Sequence, residues 1–186
     1  MNKPRIIDVS SNQDHPIDWA AVKKSGVKGV ILKATQGTTY VNPYFEGDLK
    51  GCRDAGLPVV AYHFAMFTNA IAEARAFHRV AGRFGRALDI ETSSNLAWAN
   101  DFLGMLQECG DLAHDQTMLY GSESSLPRKG LISLLWVADY GVTTPGRPCA
   151  CWQFTETGKV PGIANPVDVS YWMGTAKQFD SFFSAK

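Results

Sequence analysis

The chain has 186 residues, 45% hydrophobic and 19% charged, the balance of one globular domain able to bury a sizeable core. Its 18 Lys and Arg residues offset 18 Asp and Glu residues, and no basic block of the kind that tracks phosphates occurs, which argues against nucleic acid as a partner. The longest apolar run, Val59 to Phe67 interrupted by His63, is far too short for a bilayer, and Met1-Asn2-Lys3-Pro4-Arg5 leads into Ile6-Ile7 without a signal-peptide core, so we expect neither stable membrane association nor an export leader.

Arg5–Val9 reads as the first strand. Asp18 then caps a helix over Trp19–Ser25, which Gly26 stops. Gly29–Ala34 is a second strand. Asn42 followed by Pro43 predicts the cap and first turn of a helix that presents Phe45, Leu49 and Cys52 and ends before Gly56 and Pro58. Pro58–Phe64 is a third strand, and Thr68 or Asn69 opens a helix with the stripe Ile71, Ala74, Phe77 and Ala81. Arg86–Glu91 is the fourth strand; Ser94 caps a helix carrying Ala99, Phe102, Leu103 and Leu106 at helical spacing, and Thr117–Tyr120 is the fifth strand. The pattern then changes. Ser133–Ala138, Cys149–Phe154 and Val167–Val169 read as strands separated by short Gly- and Pro-bearing loops, before a last helix, Thr175–Ser184, whose Phe179, Phe182 and Phe183 close one end.

Strands alternating with helices imply a parallel sheet. About eight strands in this length suggest a closed α/β barrel, irregular and TIM-like, with helices mainly in the first half, (β/α)5(β)3, in a single domain over 1–186 with no second module expected. An open doubly wound sheet is the alternative. In both, ligands gather at the C-terminal ends of the strands.

That rule selects acids. Asp8 ends the first strand, Asp89 and Glu91 end the fourth, and Asp168 lies in the last. In a strand, residues i and i+2 share a face with Cα atoms about 6.5 Å apart, so Asp89 and Glu91 point the same way from an apolar strand. Such a pair is costly unless it is solvated or used. In a closed barrel the first and last strands are neighbours, which brings Asp8 and Asp168 to the same mouth. Crowding there raises at least one pKa into the range of a general acid. Taken singly, Asp8 or Asp168 would read as an ordinary surface or capping acid.

Tyr62, Phe64, Tyr120, Trp136, Tyr140 and Trp152 fall near the same strand ends, and aromatic faces beside hydrogen-bonding groups suit sugar rings. Phe64 reads better as core, and Trp136 and Trp152 are open between core and platform. His63 points away from Tyr62 and reads as a hydrogen-bonded structural group. The four cysteines, Cys52, Cys109, Cys149 and Cys151, match no zinc spacing and are expected as free thiols, the last two side by side in a strand. With no HExxH motif and no GxSxG elbow, neither a metal site nor a serine esterase is expected, and no cofactor is implied.

Ile7-Asp8-Val9-Ser10 with Gln13 and Ile17-Asp18-Trp19, the run Val30 to Phe45, Leu57 to Phe64, Leu88-Asp89-Ile90-Glu91, Leu135 to Tyr140, Trp152-Gln153-Phe154, Gly158 to Gly162, and Val167-Asp168 form an ordered set. Together they resemble the glycoside hydrolase family 25 lysozymes, the Chalaropsis-type muramidases, over nearly the whole chain. The resemblance implies an irregular β/α barrel. It implies cleavage of the β-1,4 bond between N-acetylmuramic acid and N-acetylglucosamine, with bacterial peptidoglycan strands as partner and the enzyme acting as a monomer. It also implies Glu91 as proton donor with Asp89, Asp8 and Asp168 as the other active-site acids. Substrate contacts would come from Lys33, Gln36, Tyr62, Tyr120, Trp136, Tyr140 and Trp152. Gln36 stands where the family usually has an acid, so altered substrate contacts or pH dependence are expected. The missing leader fits a phage endolysin made in the host cytoplasm and released to the wall through a holin, or a bacterial enzyme exported otherwise. Retaining, inverting and substrate-assisted routes stay open, because the strand spacing falls between the two carboxylate separations. A silent glycan-binding module, a chitinase-like glycosidase and a wall amidase are the rivals.

Overall fold

The computed structural model describes residues 3–91 and 95–184. In chain order the elements are β1 (Arg5–Val9), α1 (Trp19–Lys24), β2 (Gly29–Gln36), β3 (Tyr40–Val41), α2 (Phe45–Asp54), β4 (Val59–Phe64), α3 (Ala70–Ala81), β5 (Gly85–Asp89), α4 (Leu96–Gly110), β6 (Met118–Ser122), β7 (Leu134–Ala138), β8 (Cys151–Gly158), β9 (Val167–Trp172) and α5 (Ala176–Phe183). The sheet runs β1-β9-β8-β7-β6-β5-β4-β2, and a β1–β2 pairing closes it into a barrel; β3 is a short hairpin arm on β2. Strands β1, β2 and β4 to β8 pair in parallel around the barrel, whereas β9 is antiparallel to both β8 and β1. The closed α/β barrel is therefore correct, and the open sheet is not adopted.

Strands buried on both faces read as unbroken apolar runs, and Val30-Ile31-Leu32 shows why. Ile31 joins Ile6, Val60, Ala87, Met118 and Cys151 inside the barrel. Val30 and Leu32 face outward and pack with residues of the surrounding helices such as Phe45, Phe77 and Phe102. Helices α1 to α4 separate the first five barrel strands, as the alternation predicts. The fifth helix follows the last strand instead of β6. Its Phe182 and Phe183 are buried against Trp172 and plug the base. Gly29 accommodates that plug, because a Cβ there would lie 2.6 Å from the Phe183 ring.

Caps locate most helix starts. Asp18 accepts the Ala21 N–H at 2.9 Å, and Asn69 accepts the Ala72 N–H at 2.9 Å. Asn42 does not cap α2: its side chain accepts from Tyr44 N and donates to the Lys33 carbonyl, tying down the turn before the helix. Ser94 lies outside the described residues, and Asn95 caps α4. Along α3 the buried stripe includes Glu73, and Ile71 is only half-buried. Cys149 precedes β8 and does not share it with Cys151; all four thiols are free. Among the described residues, no helix is long and apolar enough to cross a membrane.

Candidate active site

Asp8 and Asp168 are register partners on the antiparallel β1–β9 pair, so their side chains are nearest cross-strand neighbours. Asp89 is the last residue of β5 and pairs with Tyr120 on β6, which pairs in turn with Trp136 on β7. Glu91 lies two residues past Asp89, beyond the end of the strand, and its side chain is exposed. Strand β5 is thus shorter than predicted, yet both acids line one cleft of about 500 Å³ at the C-terminal mouth of the barrel, with Asp8 and Asp168.

The same cleft is lined by Lys33, Tyr62, Tyr120, Trp136 and Tyr140. Gln36 is not on its wall; it accepts a hydrogen bond from Lys33 Nζ at 2.8 Å and so acts on the cleft through that ammonium. Lys33 shares the inward face of β2 with Ile31 and pairs with Tyr62, and its Nζ lies over the Phe64 ring at 4.6 Å from the centroid; the register shift that follows turns Thr35 outward to His63. Trp152 is a correction. It is register partner of Val137, which faces outward, and its indole N–H donates to the Asp139 carbonyl at 2.8 Å on the outer side of the barrel.

Its neighbour Gln153 takes the inward position instead, opposite Ala138. Tyr120 and Tyr140 both donate to Gln153 Oε1, at 2.7 and 2.5 Å. Gln153 Nε2 in turn donates to Asp8 Oδ1 at 3.0 Å. Burial pushes both tyrosines up, Tyr140 to about 12, so both hydroxyls keep the protons they donate. Gln153 and Glu156, a fifth carboxylate on the cleft wall, escape a reading of the sequence that selects acids and aromatics at strand ends. The signal available for Gln153 was parity: it sits two residues from Cys151 in an apolar strand.

Five carboxylates and one ammonium therefore share the mouth. Burial pushes Asp8 well up, Asp168 pushes it further, and the Gln153 amide offsets only part. Asp89 rises well above the ordinary range through burial, then through Glu91 and Asp8, with Lys33 opposing. Asp168 is raised to about 6 by burial and by Glu156. Lys33 is lowered by burial against the pull of Asp89 and Glu91. Asp89 Oδ1 is buried without a hydrogen-bond partner. Among the described residues, no group of three or more His, Cys, Asp or Glu side chains is arranged to hold a metal ion.

Comparison with known proteins gives the arrangement a context. The model of the glycosyl hydrolases family 25 matches residues 7–163. Lysozyme M1 of Streptomyces globisporus is 30% identical over 200 residues, covering 91% of this chain and 68% of that protein. The bacterial lysozyme from Streptomyces coelicolor superposes with a TM-score of 0.87 at 26% identity, over 100% of both chains. The CTP1L endolysin gives a TM-score of 0.78 at 29% identity, over 96% of this chain and 69% of that one.

Proposed function

Since the chain belongs to the glycosyl hydrolases family 25, we propose that it is a lysozyme that hydrolyses the β-1,4 bond between N-acetylmuramic acid and N-acetylglucosamine in peptidoglycan. The observation that carries this is the meeting of Asp8, Asp89, Glu91 and Asp168 in one cleft walled by Tyr62, Tyr120, Trp136 and Tyr140. Aromatic faces take the apolar faces of the sugar rings, and the acids take the reacting bond.

Glu91 is exposed at the strand end and can exchange its proton with solvent. It protonates the glycosidic oxygen as the C1–O bond breaks. Asp89 lies deeper, with Oδ1 lacking a donor. The N–H of the substrate's 2-acetamido group supplies that donor, which favours the carboxylate form of Asp89 against burial. The acetamido oxygen is thereby aimed at C1 and attacks it, giving a cyclic oxazolinium intermediate whose positive charge Asp89 balances. Glu91, now a carboxylate, takes a proton from the water that opens the ring, and the anomeric configuration is retained. Gln153, fixed by two tyrosine hydroxyls, holds Asp8 in place beside Asp168. The setting we propose is that of an endolysin, reaching the wall from the host cytoplasm after holin action; the likeness to CTP1L supports it.

Mass spectrometry of digested peptidoglycan, with proton NMR of the anomer released first, tests the reading. New reducing ends on N-acetylmuramic acid, first released as the retained anomer, are expected. Reducing ends on N-acetylglucosamine, or released amines, would overturn the bond assignment. A trapped sugar ester on Asp89 would overturn the substrate-assisted route.

A further inference from the structure

At the end of the barrel opposite the acids lies a second, larger depression of about 910 Å³. Lys3, Arg5, Lys23 and Lys28 line it, with no carboxylate among the lining residues. Strand β1 carries both ends of the charge separation, and β9 adds a second acid at one of them. Strand β1 runs from Arg5 to Asp8, and β9 sets Tyr171 opposite Arg5 and Asp168 opposite Asp8. A chain with no formal net charge is thus polarised along the barrel, acidic at one mouth and basic at the other.

The basic groove is built on fixed backbone. Lys28 N donates to the Arg5 carbonyl at 2.8 Å, Trp172 N to Pro4 at 2.9 Å, and Val30 N to Pro58 at 3.0 Å. Arg5 commits Nη2 to Ser25, and Lys23 commits one donor to the Gly56 carbonyl. Their other N–H groups remain for a ligand. Among the described residues, Lys3 and Lys28 have no ion-pair partner. Phe179 and Tyr171 add aromatic wall.

We propose that this groove docks an anionic phosphodiester polymer of the bacterial wall, of the poly(glycerol phosphate) class, while the opposite mouth works on glycan. The inference rests on the wall-lytic reading above. Several cations spread along one groove suit charge that repeats along a chain, and two sites on opposite faces can be engaged together, which raises the effective concentration of glycan at the cleft. A lipid surface fits less well. None of the exposed large apolar side chains, such as Tyr44, Met66 and Val142, lines the groove, so nothing there would enter a bilayer.

The test compares Glu91→Gln protein, which leaves walls intact, with the same protein carrying Lys3→Gln, Lys23→Gln and Lys28→Gln. Both are sedimented with walls bearing poly(glycerol phosphate) and with walls stripped of it by hydrofluoric acid. We expect the triple change to weaken binding to native walls about tenfold at low salt, to flatten its salt dependence, and to make no difference on stripped walls. With Glu91 restored, turnover of soluble glycan fragments stays at the parent rate. Equal binding of both proteins to native walls overturns the proposal. So does an equal loss on stripped walls, which would point to peptide carboxylates, or tighter binding to phosphatidylglycerol vesicles than to the polymer. Absence of new reducing ends from purified peptidoglycan treated with the unsubstituted protein would instead sink the wall-lytic reading, whatever the docking result.

Discussion

Two groups of buried ionisable side chains lie on opposite faces of the same sheet, and they are built to opposite rules. Outside the barrel, His63 of β4 is fully buried between Thr35 and Glu73. Its Nε2 meets Glu73 Oε2 at 2.9 Å and its Nδ1 meets Thr35 Oγ1 at 2.7 Å. Burial holds His63 down as the neutral ring, so Nε2–H donates to the carboxylate and Nδ1 accepts from the hydroxyl. Glu73 also accepts from Met66 N, Thr68 N and Thr68 Oγ1. Burial pushes Glu73 up, yet those bonds win and hold it at about 2. Inside the barrel, Asp8, Asp89 and Asp168 are pushed the other way, by burial and by neighbouring carboxylates of the cleft, and one oxygen has no partner at all. Burial alone does not mark a working site. Buried charge left unsatisfied in an open cleft does, because only a ligand completes it.

Glu91→Gln should affect activity most and stability hardly at all. The amide cannot deliver the proton, and lysis of purified walls should fall on the order of 10²–10⁴-fold. Glu91 is exposed and anchors nothing in the core, so the urea midpoint should stay where it is. Undiminished release of reducing ends would remove Glu91 from its role.

Glu73→Ala should do the reverse. Four donors lose their acceptor in a dry site, a loss of about 3–5 kcal/mol in urea unfolding. The sign with pH follows from the depressed carboxyl. Its contribution is whole above the ordinary glutamate value of 4.5 and disappears as pH falls through about 2, so the gap between parent and variant should close over that range. A gap that stays constant down to pH 2 would show that Glu73 stabilises by packing rather than by charge.

The barrel was legible because parallel strands buried on both faces leave continuous apolar runs, as at Val30–Leu32 and Val59–Ala61. Four of the five cleft acids were legible, Asp89 and Glu91 because a carboxylate pair at the end of such a run is conspicuous, Asp8 and Asp168 because barrel closure makes the first and last strands neighbours. What escaped was parity and pairing. Trp152 and Gln153 differ by one step in β8, and only the register against Trp136 and Ala138 decides which faces the cleft. Glu73 lies off the apolar stripe of α3, and nothing local says that His63 comes from a different element to meet it. Asn42 has the acceptor of a helix cap, but its Oδ1 takes the N–H of Tyr44 ahead of the helix while its Nδ2 donates to the Lys33 carbonyl on β2. The Trp152, Gln153 and Glu73 placements turn on contacts made across elements, which the pattern of any one element does not show.

Asp168→Asn should change stability least, and it bears most directly on the contrast between the two clusters. Asp168 is half-buried opposite Asp8 and raised to about 6 from an ordinary value of 3.8, by burial first and then by Glu156. A carboxyl raised in the folded state stabilises fully below its ordinary value, and that contribution is lost as pH climbs through about 6. Asp168→Asn keeps the shape and never ionises. It should therefore match the parent near pH 4 and exceed it at pH 7 to 8 by on the order of 1 kcal/mol, a figure kept low because solvent screens a half-buried group. Glu73 and Asp168 then give pH dependences of opposite sign: the outer cluster gains strength as its carboxylate forms, and the cleft loses strength as its own do. Urea midpoints of the Asp168→Asn protein across pH 4 to 8 decide it. An advantage that does not grow with pH would mean that the mouth bears no electrostatic strain, and with it would go the argument that these acids are held against their own stability for the sake of the reaction.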